Sequence, residues 1–257
     1  MTTDAQVHLW EPDRPDRPWP PGTEVSGQHG IRPNGFGASE MLAAMDAAGV
    51  DRAVIVPPSW AGENNATPLE AAAAYPRRFA VMGRFDPSAP NARLRLEGWL
   101  DQPHMLGIRL TFNQPRFVSW LDDGSLDWFW SAMERLSIPL MIHLPGMLPK
   151  LGPIAERHPS LRLIIDHLGA QTRPDGVAVL GGIDALLSLA RYPNVTPRPR
   201  RCRRSPSSPI PTGTSTASCA AFTTASAHDG CCGAPTSRGS VGATVNAWTS
   251  SRRRWIS

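Results

Sequence analysis

Pro139-Leu140-Met141-Ile142-His143-Leu144, then Leu151-Gly152-Pro153-Ile154-Ala155-Glu156-Arg157, then Leu161-Arg162-Leu163-Ile164-Ile165-Asp166-His167-Leu168-Gly169 is the stretch that decides the fold. A short apolar run closes on a histidine, a helical segment follows, and a second apolar run closes on Asp166-His167. Apolar runs of this length read as buried strands. A strand, a helix and a second strand in succession mark a parallel βαβ unit.

The same cadence continues towards the N-terminus. Residues 5–10 alternate as a short strand does, and Pro and Gly then dominate to about Gly37, predicting a long irregular loop. Ser39 reads as the N-cap of a helix with Met41, Leu42, Met45 and Ala48 on one face, ended by Gly49. A strand is predicted over 52–56, stopped by Pro57-Pro58. Helices follow over 69–75, 92–99 and 128–136, with strands over 79–85 and 106–112 between them. A further helix is predicted over 183–191. Six strands separated mostly by helices suit a (β/α)8 barrel, and by periodicity alone a doubly wound sheet equally well.

The polar residues at the strand ends favour the barrel, which places its chemistry there and in the loops that follow. Gln6 and His8 leave one face of strand one. Arg84 ends strand three, Arg109 lies on strand four, His143 ends strand five, and Asp166-His167 end strand six. A histidine serves as metal ligand or general base, and an arginine grips a carboxylate with two parallel hydrogen bonds. A lone strand-end histidine is usually no more than a satisfied polar residue. Arg109 could equally pair with a neighbouring acid, and Asp166 could brace the next loop. Recurrence of His8, His143 and His167 in one register is what points to joint function.

The bulk numbers agree with one barrel and then expose a break. A chain of 257 residues with 41% hydrophobic content has the length and core of such a fold. No apolar run is long enough to span a membrane, and the start of the chain does not read as a signal peptide, so a cytoplasmic enzyme is expected. Residues 1–196 carry 17 Lys and Arg against 21 Asp and Glu. From Pro197 onward there are nine arginines, one acid (Asp229) and all four cysteines, without hydrophobic periodicity. Two regions are expected: a barrel-like body over 1–196 and a basic tail over 197–257. The run over 198–204 has charge for phosphates but no interleaved aromatics, so nucleic acid is not the expected partner. Cys231-Cys232 lacks the spacing of a zinc knuckle.

Asp4-Ala5-Gln6-Val7-His8-Leu9-Trp10 resembles the first-strand signature of the amidohydrolase-related family of barrel hydrolases. Gly107-Ile108-Arg109-Leu110, Ile142-His143-Leu144-Pro145 and Ile165-Asp166-His167-Leu168-Gly169 resemble its fourth, fifth and sixth strands. Glu63-Asn64-Asn65 and Tyr75-Pro76-Arg77-Arg78-Phe79 are similar to the stretch after its second strand. The likeness covers about residues 4–196. It implies a hydrolase of a small, carboxylate-bearing carbonyl substrate such as a lactone. His8, His143 and His167 would frame the reacting carbonyl, and Arg109 and Arg84 would bind the carboxylate. A decarboxylase on the same barrel and a non-catalytic binding module are the alternatives.

Two departures from the family pattern matter. Its first strand carries His-x-His, and Gln6 stands at the first position here. One divalent metal, zinc, held by His8 and His167 is therefore one expectation, and metal-independent action the other, because an amide is a poorer zinc ligand than imidazole. The family also ends strand eight with an aspartate in a Trp-Gly-Ser/Thr-Asp motif, which this sequence lacks, so strands seven and eight read as missing and activity as impaired. Joining each codon's third base to the next codon's first two, from Asp229 to Thr236, permits Arg-Leu-Leu-Trp-Gly-Thr-Asp. The tail is thus expected to be a shifted reading frame. Substrate identity and oligomeric state are not legible.

Overall fold

A computed structural model describes residues 1–20, 34–112, 115–172, 178–179 and 183–197. The basic tail and its frame-shift reading lie outside the described residues, apart from Pro197. The chain divides into two compact units, Met1–Leu110 and Thr111–Ser257.

In the first unit four strands run parallel in the order β1 (Thr3–Val7), β2 (Arg52–Ile55), β3 (Phe79–Arg84) and β4 (Met105–Thr111), whose last residue begins the second unit. Helices α1 (Ala38–Ala47), α2 (Ala66–Ala74) and α3 (Ala92–Glu97) connect them. Every residue of β3 is buried, as expected of a parallel strand covered on both faces. Gly83 is there for space: a Cβ would lie 2.8 Å from the side chains of both Met105 and Trp99. Helix α1 begins one residue before the predicted cap. Gly37 takes the N-cap position, and its N–H donates to Glu40 Oε2 at 3.0 Å. The carboxylate satisfies that exposed amide, so Ser39 has no capping duty.

The second unit holds α4 (Pro115–Val118), α5 (Asp127–Arg135), β5 (Leu140–His143), α6 (Leu151–Arg157) and β6 (Leu163–Ile165). A two-residue antiparallel pair follows, β7 (Gln171–Thr172) with β8 (Ala178–Val179), then α7 (Ile183–Ser188) and β9 (Val195–Pro197). Strands β5, β6 and β9 are parallel neighbours in that order, with Leu163 opposite Val195 and Ile165 opposite Pro197. β9 is a further parallel strand that the six-strand reading did not contain. Three residues are too few to show a period, although Val195 and Pro197 are buried on either side of exposed Thr196. Asp166, predicted inside strand six, lies in the short turn that follows β6.

Neighbours within each unit follow chain order with no reversal. That is the succession of parallel strands in a (β/α)8 barrel, of which these repeats are an incomplete set. Among the described residues no helix is long and apolar enough to cross a membrane.

Candidate active site

In the first unit, Val7 and Leu9 point into the core, and Gln6, His8 and Trp10 alternate onto the other face. β1 ends at Val7, so His8 stands at the first position beyond the strand. Its Nδ1 lies 2.7 Å from the Val56 carbonyl oxygen. A carbonyl only accepts, so Nδ1 carries a proton, and in the neutral form of the ring the lone pair lies on Nε2. Gln6 Nε2 is 3.3 Å from that nitrogen and donates to it. The side chain of His8 is exposed while its tautomer is set by buried backbone.

Arg84 and Arg109 face one another in the register of β3 and β4, and both are buried, at 7% and 4% exposure. Arg84 Nε donates to the Pro57 carbonyl at 2.8 Å. Asn65 clamps the same residue's backbone: its Oδ1 accepts from Arg84 N–H at 2.7 Å, and its Nδ2 donates to Arg84 O at 2.8 Å. Burial pushes the Arg109 guanidinium down to about 9. Burial first, and then the Arg109 charge, hold Arg84 well below its ordinary value. Two desolvated cations in register make a place where a bound anion is favoured, since it relieves both.

In the second unit, the His143 ring at the end of β5 meets the His167 ring edge to face, with centroids 5.4 Å apart. Asp166 is fully buried, and its Oδ2 lies 3.3 Å from His167 Nε2. His167 (φ 52°), Leu168 (φ 56°) and Gly169 (φ 69°) form a run of three left-handed residues. For the two non-glycine members this costs roughly 1–2 kcal/mol each. Gly169 closes the run against Leu148, whose side-chain atoms lie 2.5–2.7 Å from where a Cβ would stand. The strained turn fixes where the His167 imidazole points.

The structure therefore groups Gln6 with His8 and Arg84 with Arg109 in one unit, and His143, Asp166 and His167 in the other. Asn65 and Gly169 were not singled out as positioning residues from sequence. An Asn in a loop has no distinctive pattern, although a glycine two residues after a strand-end histidine does hint at a left-handed turn. Among the described residues no group of three or more His, Cys, Asp or Glu side chains is placed to hold a metal ion. Beside His8 stands the Gln6 amide where an imidazole would be the better zinc donor.

The amidohydrolase family model matches residues 3–228, and the chain belongs to that family. It is 28% identical over 194 residues to an L-fucono-1,5-lactonase of Burkholderia ambifaria. That match takes in 75% of this chain but only 64% of the relative, so the chain spans less than two thirds of its length. Among solved structures, a Burkholderia multivorans amidohydrolase with bound zinc superposes with a TM-score of 0.61 at 23% identity, covering 77% of this chain and 68% of the other. A candidate 2-pyrone-4,6-dicarboxylic acid hydrolase of Pseudomonas putida gives 0.56 at 18% identity, with 87% and 75% covered. These likenesses carry the fold, a (β/α) barrel.

Proposed function

We propose that the barrel hydrolyses a small lactone and that this chain does so feebly. The observation that carries the reading is the pair of buried guanidiniums of Arg84 and Arg109 in register. Opening a lactone turns a neutral ester into a carboxylate, and two desolvated arginines favour that product and any carboxylate already on the substrate. In the reaction, a water oxygen bonds to the carbonyl carbon and the bond from that carbon to the ring oxygen breaks. The ring oxygen leaves as a hydroxyl, and one proton is released from the new acid. In the chain as written, which lacks the strand-eight aspartate, His8 is the weaker substitute base: it accepts the water's proton on Nε2, the atom its bond to Val56 leaves basic, after the Gln6 amide releases it. The lactone substrate of the Burkholderia ambifaria relative supports this choice of reaction.

The feebleness follows from the tail. No Trp-Gly-Thr-Asp motif is encoded as written, so the aspartate expected to activate water is absent from the sequence. We attribute this to a shifted frame. The test has two arms. DNA through the codons for residues 190–257 is sequenced, and the chain as written is compared with a frame-restored version on L-fucono-1,5-lactone by proton release. Restoring a general base is expected to raise turnover roughly 10²–10⁴-fold, with Arg109→Met removing most of the gain. A frame-restored barrel without lactone-dependent proton release sinks the lactonase reading. A gene in which no alternative frame encodes the motif sinks the frame shift alone.

A further inference from the structure

A cluster of four aromatic side chains stands immediately beyond His8. Trp10 lies on the face shared by Gln6 and His8, and its ring stacks on Phe36 with centroids 5.7 Å apart at an interplanar angle of 29°. Trp60 meets Trp10 edge-on at 6.2 Å and Trp19 at 4.8 Å. Trp60 follows by four residues the Val56 whose carbonyl holds His8. Both arms of the cluster therefore leave the strand ends that position the imidazole. All four rings are partly exposed, whereas Trp99 and Trp130 are buried in the core.

The rings are held firmly. Trp10 and Phe36 exchange two backbone hydrogen bonds, at 3.2 and 2.8 Å. Next to Phe36, Gly35 (φ +82°) approaches the Trp10 carbonyl so closely that a Cβ would stand 2.8 Å from it. Trp19 donates from Nε1 to the Glu11 carbonyl at 2.9 Å, and its backbone N–H donates to Asp13 Oδ1 at 2.8 Å. Charged groups border the rings: Arg17 bonds Glu11 at 3.2 Å and Glu70 at 2.8 Å. Aromatic surface fixed in place, half open, with hydrogen-bonding groups at its margin is the composition of a site for an amphipathic small ring.

We propose that Trp10, Trp19, Trp60 and Phe36 form a stacking platform that selects lactones derived from sugars over plain aliphatic lactones. This inference rests on the lactonase reading above. The negative face of an aromatic ring attracts C–H groups made electron-poor by neighbouring oxygens. A sugar ring carries such C–H groups on its faces and hydroxyls at its edge, so its faces suit the indoles and its hydroxyls the polar margin. A plain aliphatic lactone supplies neither match.

The test uses the full chain and two stable probes: the 1,5-lactam of L-fuconic acid and unsubstituted δ-valerolactam. Saturation-transfer NMR reads which probe protons lie against aromatic side chains, and titration calorimetry reads affinity. The sugar lactam is expected to receive saturation at its ring C–H protons and to bind about tenfold more weakly to Trp60→Leu. Trp60→Phe, which keeps a π face, should lose little, and δ-valerolactam should be indifferent to both changes. Thermal unfolding of each variant controls for folding, and if Trp60→Leu does not fold the saturation received by the sugar lactam's ring C–H protons on the native chain carries the test. Equal binding of the sugar lactam to chains with and without the Trp60 ring, or no saturation transfer at all, overturns the platform and leaves the rings as anchors of their loop. Lactam binding through Trp60 in a frame-restored chain that hydrolyses nothing would sustain the platform and sink the lactonase. Lactone hydrolysis that ignores Trp60 would do the reverse.

Discussion

Replacing Gly169 by Ala tests whether the turn that aims His167 is held in a strained state by its packing. Two costs add. An alanine at φ 69° pays roughly 1–2 kcal/mol for the left-handed region. Its Cβ would stand 2.5, 2.6 and 2.7 Å from three carbons of Leu148, a branched side chain only 2% exposed, and overpacking of that kind costs about 1–3 kcal/mol. The sum is about 2–5 kcal/mol, read from urea unfolding as a lower midpoint with unchanged slope. Leu148→Ala alone empties a buried site and costs about 2–5 kcal/mol by itself. In the double variant the clash has gone, and only the backbone term is added to the cost of Leu148→Ala. The two changes should therefore couple favourably by about 1–3 kcal/mol. Losses that add to within about 0.5 kcal/mol refute the packing argument. A Gly169→Ala change below about 0.5 kcal/mol refutes the strain as well.

Asn65→Ala leaves a buried N–H and carbonyl of Arg84 without their clamp and should cost about 1–3 kcal/mol in urea unfolding; a neutral result would mean that β3 holds Arg84 unaided. Glu134 titrates below the ordinary carboxylate value of 4.5, chiefly because His158 hydrogen-bonds it at 3.0 Å, with the Ser160 N–H second. A carboxylate depressed in the folded state contributes stability that is complete above 4.5 and lost as pH falls through its folded value. Glu134→Gln should therefore flatten the urea midpoint against pH below 4.5, and parallel curves for the two proteins would count against the pair. Gln6→His supplies the imidazole that the first strand lacks, so it should bind zinc more tightly than the native chain by calorimetric titration. Equal zinc affinity would show that residue 6 does not govern metal choice.

Much of the barrel was legible because parallel strands, covered on both faces, are written as apolar runs that need no knowledge of neighbours. Helix α6 falls on its predicted bounds, and β3 and β4 within a residue or so of theirs. β9 was not legible, since three residues carry no period and its pairing with β6 is made at long range. The Ser39 cap went wrong for a related reason: two residues two positions apart could cap the helix, and the Glu40 carboxylate chose Gly37.

For the site, the sequence alone determined which residue types stand at the strand ends, because a strand's alternation and its stop signals are local. Gln6, His8, Arg84, Arg109, His143 and His167 could all be named that way. It also determined the family, through short motifs that survive low overall identity. Tertiary structure alone decided their chemical states. The His8 proton sits on Nδ1 because a carbonyl 48 residues away accepts it. The arginines are desolvated because β3 and β4 bring them into register. His167 is aimed by a left-handed turn backed by Leu148. Protonation, desolvation and strain depend on partners distant along the chain, and only the folded backbone sets those distances.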